Sequence, residues 1–271
     1  MGQKLSATAS AVYLRSIGRV YNQSDEFIEW DSKTREVRAL QLNVAAALSE
    51  RSQVFLATGF LEGSYEDRAE QGTTSHMSDT LFGYTYEVLP EHTFSYWKPK
   101  VHVTAMVNAP TGHSIYDEGH LSEGADVTGH NQWGGGLGLT ATKVYFPWTL
   151  VLQGRVLSLQ PRTFDAVEVG QFFDSSVSLL AQYASRWQGL VLLTGLTRLH
   201  LSSRTVTPVS GVGSSVSSEE SENWAVIVGA QKSVNENYQL GLVYSDQTLV
   251  GPARNSILNR SLSLTVNFNT F

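Results

Sequence analysis

The stretch Arg260 to Phe271 reads R-S-L-S-L-T-V-N-F-N-T-F, and its alternation constrains the whole chain. Leu262, Leu264, Val266 and Phe268 fall on one side of an extended strand; Ser261, Ser263, Thr265, Asn267 and Asn269 fall on the other. At roughly 3.3 Å per residue, a tilted strand of this length crosses a bilayer. One face suits hydrocarbon and the other suits water. Hydrocarbon offers no partner to backbone N–H and C=O groups, so such a strand is viable only inside a closed cylinder. The last strand must therefore pair with the first.

The same zigzag recurs. Alternating segments cover residues 7–21, 35–48, 53–65, 77–88, 97–109, 132–144, 148–159, 175–183, 190–202, 223–233, 238–248 and 260–271, which makes twelve. An even number is the rule for single-chain bacterial barrels. The segment at 35–48 is regular, with Leu40, Leu42, Val44, Ala46 and Leu48 opposing Gln41 and Asn43, whereas 7–21 is irregular and 190–202 is apolar on both faces. Short links at 49–52, 89–93, 145–147, 184–189 and 234–237 alternate with long polar ones at 22–34, 66–76, 110–131, 160–174, 203–222 and 250–259. Barrels of this kind have short periplasmic turns and long outer loops. The expected fold is all-β: one domain over residues 1–271, a twelve-stranded antiparallel transmembrane barrel in a bacterial outer membrane, both termini on the short-turn side.

Aromatic side chains give a separate signal, because a flat apolar ring with a polar edge prefers the membrane interface. On the lipid-facing parity Tyr86, Trp97, Trp148, Tyr183, Trp187, Tyr238 and Phe268 fall near the short-turn ends, and Trp133 and Trp224 near the long-loop ends. A soluble β-sandwich or lipocalin-like barrel also alternates. Only the transmembrane reading accounts for the loop rhythm and the aromatic positions together.

Composition agrees where it speaks. With 41% hydrophobic residues the chain has no run near the roughly 20 apolar residues of a spanning helix. Alternating strands average out in such a test. The absence of cysteine excludes a disulfide scaffold and a thiolate metal site. A net charge of −6 without a basic stripe argues against nucleic acid as a partner. Met-Gly-Gln-Lys-Leu has no apolar core and is not a signal peptide, so an exported chain is expected to be a mature form with an added start Met.

If the apolar face meets lipid, the polar face lines the lumen. The residues expected there are Arg15, Arg19, Gln41, Asn43, Asp79, Glu87, His102, Asn108, Gln153, Arg155, Arg198, His200 and Asn267. Eight strands close a barrel around its own side chains and sixteen leave a wide channel, so twelve lies between. The expected partners are the lipid bilayer and small solutes, with a homo-oligomer open because lipid-facing and protomer-facing strands look alike. The expected function is a passive outer-membrane pore with a polar, mixed-charge lumen. The alternative is a closed structural or adhesive barrel whose outer loops bind a partner.

The middle of the chain, Val101 to Val156, carries V-N-A-P-T-G at 107–112, V-T-G-H-N-Q-W-G-G-G-L-G-L at 127–139 and K-V-Y-F-P-W at 143–148. These segments resemble a widespread outer-membrane family named after the meta-cleavage pathway of phenol degradation (MetA-like). The resemblance implies a channel for small, often apolar molecules. Terminal Phe271 likewise resembles the closing residue of bacterial outer-membrane barrels, although it lies out of phase with the Leu262 to Phe268 face.

Other chemistry finds little support. His200-Leu201-Ser202 has the local pattern of outer-membrane phospholipase, a twelve-stranded barrel with a Ser two residues from a His, but no Asn follows before Asn223. A nucleophile without an oriented base is not an active site, so no enzyme is expected. His113, His120 and His130 share a loop with Asp117, Glu118, Glu123 and Asp126 and could hold calcium or zinc. Exposed barrel loops are commonly acidic and polar, so the expectation is no metal and no cofactor.

Overall fold

The protein is described by a computed structural model over residues 5–21, 26–90, 96–118, 121–187, 189–210 and 214–270. Its strands in chain order are β1 (Leu5–Val20), β2 (Phe27–Glu29), β3 (Thr34–Ser49), β4 (Ser52–Glu66), β5 (Gln71–Met77) and β6 (Thr80–Leu89). These are followed by β7 (Lys100–Ala109), β8 (Gly134–Tyr145), β9 (Trp148–Leu159), β10 (Arg162–Thr163), β11 (Val167–Val169) and β12 (Phe172–Ala184). The last are β13 (Leu190–Leu201), β14 (Arg204–Pro208), β15 (Val216–Ser218), β16 (Ser221–Ser233), β17 (Tyr238–Asp246) and β18 (Ser256–Thr270). Strands β1, β3, β4, β6, β7, β8, β9, β12, β13, β16, β17 and β18 form a single twelve-stranded antiparallel barrel. Closure is direct: β18 pairs β1 from Leu5↔Thr270 to Val20↔Ser256. Phe271 lies outside the described residues.

Register explains why this closure is specific. Ala11 sits opposite Leu40 on one side and Leu264 on the other, so all three share the outer face. Leu40 is 60% exposed and Leu264 54%, as expected of a face that meets acyl chains rather than a protein core. On the inner face Thr8 Oγ1 donates to Asn267 Oδ1 at 2.8 Å and the Ser10 and Thr265 hydroxyls are 3.1 Å apart. Slipping the pairing by one residue would exchange these two faces entirely. No helix among the described residues is long and apolar enough to cross a membrane, so the strands do the crossing.

Strands β1 and β13 depart from the expected facing. In β1 the register shifts between Ser16 and Gly18, a bulge that inserts one extra residue. Before the bulge odd residues face outward, so Arg15, opposite Glu36 and Arg260, stands on the outer face and not in the lumen. After it Arg19 points inward. In β13 Leu192, opposite Tyr183, and Leu196, opposite Leu179, take the outer face, which carries Arg198 and His200 outward as well. Their expected lumen placement is thereby corrected: both stand at the outer rim near the long loops. Leu199 and Leu201 face inward instead. Apolar residues on both sides of β13 made its parity undecidable from composition alone.

The long loops are themselves built. Strands β10, β11, β14 and β15 form a second, four-stranded sheet from the 160–171 and 203–220 loops. β5 extends β6 outward after a break at Ser78 and Asp79, pairing β4 from Phe60↔Met77 to Glu66↔Gln71.

Candidate functional site

Inside the barrel, one carboxylate organises the long-loop mouth. Asp79, at the break between β5 and β6, accepts from the backbone N–H of Gly112 at 2.9 Å, His130 at 2.8 Å and Asn131 at 3.2 Å. Asn108 Nδ2 adds a fourth contact at 3.2 Å and also donates to the Gln132 carbonyl at 3.0 Å. Hydrogen bonds to a charged acceptor are about twice as strong as neutral ones, so this cluster fixes both ends of the 110–133 loop to the wall. A Cβ on Gly112 or Gly129 would lie within 2.8 Å of Asp79 carboxylate atoms, which is why both stem positions are glycine.

The loop then folds inward across the mouth. Arg19 and Lys33 both pair with Glu123, at 2.9 and 3.0 Å, and Arg35 donates to the Gly124 carbonyl at 3.1 Å and to Ser16 Oγ at 2.9 Å. Glu70 accepts from the Ser122 hydroxyl and backbone N–H. The Ala125 carbonyl passes so close to β4 that a Cβ on Gly63 would sit 1.9 Å from it. Arg204 Nε donates to the Tyr116 hydroxyl at 2.6 Å, and Arg162 holds the Asn131 carbonyl, joining the outer sheet to the same loop.

Against this polar mouth stands a dry patch. Met106, Leu157, Leu159, Phe164, Val169 and Phe172 form a buried cluster on the inner face of β7, β9 and β12 and beneath the outer sheet. His130 packs edge-on against Phe172 at 5.2 Å between ring centres. Burial holds the His130 imidazole below its ordinary pKa, partly countered by the carboxylates of Asp174 and Asp79.

Below the loop two cavities lie along the inner wall. A cavity of about 430 Å³ is lined by Thr8, Ser10, Gln41, Asn43, Asp79, Asn108, Arg155 and Asp174. A second of about 590 Å³, at the short-turn end, is lined by Gln53, Thr85, Glu87, Lys100 and His102. Glu87 pairs with Lys100 at 2.7 Å and lies 3.8 Å from His102, while Arg155 lies 3.6 Å from Asp174. Gln153 is an exposed neighbour of Arg155 on the same face of β9, and Asn267 is half-buried beside Thr8. A third cavity of about 830 Å³ opens at the mouth, with Phe172 and Leu201 on one wall and Arg19, Lys33, Arg35 and Glu123 on the other. Lys100, Asp174, Arg35 and Glu123 belong to these surfaces although alternation alone did not single them out. Arg35 and Lys33 do form a basic pair in the sequence, opposite an acidic loop.

Elsewhere the expected residues go to separate places. Arg198 forms a two-pronged pair with Glu222, both contacts at 2.8 Å, 6.0 Å from the Trp224 ring. His200 Nδ1 is 3.5 Å from Ser175 Oγ and its Nε2 is 3.5 Å from Glu220. Ser202 Oγ accepts from the Phe173 N–H at 2.9 Å, so histidine and serine are engaged apart from each other. Of the aromatics expected at the membrane interface, Trp97 and Trp187 are the most exposed, at 85% and 74%, with Tyr86, Trp133, Trp148 and Tyr238 also exposed. Trp148 packs on Tyr183 at 4.9 Å and Tyr238 on Phe268 at 5.0 Å, each pair bridging neighbouring strands.

No family model matches the chain, and no curated protein matches it at a significant level. Solved structures do. An outer-membrane channel from Pseudomonas putida F1 matches over 100% of this chain and 96% of its own, at a TM-score of 0.74 and 16% identity. The β domain of the Bordetella autotransporter BrkA matches over 100% of both chains at a TM-score of 0.53 and 8% identity. The protein is an outer-membrane β-barrel. At such identities the likeness concerns the fold: a closed twelve-stranded barrel of the kind found in Gram-negative outer membranes, its apolar band facing lipid.

Proposed function

We propose that this barrel is a passive channel for small solutes, with the inward 110–133 loop as its constriction. One observation carries the reading: the wall is a single sheet exposed on both sides. Leu40 and Leu42 are exposed on the outer face while Gln41 and Asn43, between and beside them, are exposed on the inner. A barrel filled by its own side chains would bury one of the two sets.

The mouth sets the solute class. Its walls pair a ring-and-aliphatic surface, Phe172 and Leu201, with the charged group Arg19, Lys33, Arg35 and Glu123. This suits molecules that are small and part apolar, in keeping with the MetA-like resemblance of residues 107–112 and 127–139, the segments that Asp79 holds in place. The Pseudomonas putida neighbour, an outer-membrane channel, accords with it. The competing reading is a sealed barrel, favoured by the number of bonds that hold the loop across the mouth.

Planar-bilayer recordings of the folded protein separate the two. Discrete conductance steps support the channel. A trace flat at the noise level in both the native protein and a variant lacking residues 114–127 removes it.

A further inference from the structure

We propose that His76, His113 and Asp126 form a binding site for a divalent transition cation of the zinc class, tying the inward loop to β5. Their ligating atoms all lie within 4.8 Å of one another. Two residues come from opposite arms of the loop and the third from the strand beneath it. The grouping differs from anything proximity along the chain suggests, since His76 is 37 residues from His113.

Unmet bonding needs point to a ligand. Asp126 is 1% exposed, and neither of its carboxylate oxygens has a hydrogen-bond partner. His113 Nε2 is likewise buried and without a hydrogen bond, and it faces Asp126 Oδ2 at 3.3 Å. Buried carboxylates are normally hydrogen-bonded, paired closely or bound to a metal. The 3.3 Å separation is also the spacing of two donors that share one tetrahedral ion, given bond lengths of roughly 2.0–2.2 Å.

The surroundings have the form of a metal site's supporting shell. Imidazole ligands usually present their other nitrogen to a carboxylate, which fixes the tautomer. His113 Nδ1 is 3.6 Å from Asp117 Oδ2. Asp117 is in turn held by the Ser114 N–H at 2.6 Å and by Asn131 Nδ2 at 3.0 Å. His76 stacks on His113 with ring centres 4.2 Å apart and planes 8° from parallel. Parallel rings direct their lone pairs side by side, so binding needs a turn of one ring about χ2, a torsion with broad wells. Two nitrogens and one carboxylate oxygen match zinc or a similar ion and fall short of the six to eight oxygens that calcium takes. A water completes the fourth position.

The test reads cation binding, so it is independent of solute passage. Folded full-length protein in detergent is titrated with Co²⁺ alone, followed by visible absorption, and with Zn²⁺ alone by calorimetry. The expected result is one saturable equivalent with the intense visible band of tetrahedral cobalt. His113→Ala and Asp126→Ala each weaken binding at least tenfold, Asp117→Asn about tenfold, and His200→Ala leaves it unchanged. Retention of the barrel is checked by circular dichroism. Should either loop variant fail to fold, His76→Ala on half-exposed β5 carries the same expectation. Absence of saturable uptake by the native chain overturns the proposal, and so does undiminished affinity in folded His76→Ala.

Discussion

The backbone N–H of His130 donates to the Asp79 carboxylate at 2.8 Å, and the Gly112 N–H reaches the same carboxylate at 2.9 Å. The loop from Gly112 to His130 is thus closed into a ring by one side chain on the wall. Removing it leaves three backbone donors without their acceptor. Asp79→Ala is expected to cost about 2–4 kcal/mol of loop docking, since each charge-assisted bond contributes roughly 1.5–3 kcal/mol before water replaces it. The barrel strands do not depend on this contact, so the folded state persists. Conductance per channel rises, and limited proteolysis within 112–130 speeds up; unchanged values for both would remove Asp79 from this role.

Gly63 tests the same docking from the opposite wall. Its hypothetical Cβ meets the Ala125 carbonyl at 1.9 Å, a distance that backbone cannot accommodate in place. Gly63→Val is expected to push the loop out of the mouth and mimic Asp79→Ala in conductance. Gly135→Ala is the control, because nothing lies within 4 Å of the added methyl. Equal behaviour of the two variants would show that the loop does not rest on β4.

Much of this architecture was legible in the sequence, for a physical reason. A strand that faces lipid on one side and water on the other must alternate, and Leu40–Val44 of β3, Leu137–Ala141 of β8 and Leu262–Phe268 of β18 do so. The parity fails where the two-solvent rule is relaxed. At the outer ends the inner wall is covered by loops, so Met106, Leu157 and Leu159 are apolar on the lumen side. Beyond the bilayer the outer wall is wet, so Arg15, Arg198 and His200 can stand there, Arg198 bonded to Glu222. The bulge at Ser16 to Gly18 leaves no compositional mark. The loop's inward course was hidden because it depends on contacts across long separations, such as Arg19 with Glu123. Only the glycines of 112 and 129 hinted at close backbone approach.

Acid should loosen the loop through His130. Burial depresses its imidazole pKa, against the pull of Asp174 and Asp79 and with help from Arg204 and Arg155. With the docked pKa below the free value of about 6.5, the undocked loop binds more protons between the two. Docking is therefore at full strength above about pH 6.5 and weakens as pH falls through that window. Conductance recorded from pH 8 downward should rise near that point in the native protein. His130→Phe, which keeps the backbone N–H to Asp79 and the packing on Phe172, should flatten the rise; an unaltered pH profile would assign the effect to another group.

At the short-turn end Glu87 is bonded to Lys100 at 2.7 Å beside His102. Both lie on the inner wall of a roughly 590 Å³ cavity, so their charges act on anything that passes. Glu87→Gln keeps the shape and leaves Lys100 uncompensated. Permeability is expected to move toward anions by about twofold, a size typical of one partly screened charge in a narrow, low-dielectric passage. Reversal potentials in a salt gradient measure it. A shift toward cations would contradict the placement of this pair on the conducting surface.

The pattern that closes the chain makes its own demand on energetics. Leu264 and Thr265 are adjacent in β18; Leu264 is 54% exposed on the outer face, and Thr265 shares the inner face with Ser10. An arginine at position 264 would carry its charge into the hydrocarbon, at a cost of about 2–4 kcal/mol near the bilayer midplane. The same residue at 265 would point into the barrel beside polar neighbours such as Ser10, costing about 1 kcal/mol or less by comparison with ordinary surface substitutions. Urea unfolding of each variant in lipid vesicles measures the difference directly. If Thr265→Arg were the more damaging of the two, the apolar side of the zigzag would be the interior one, and the membrane assignment would fall with it.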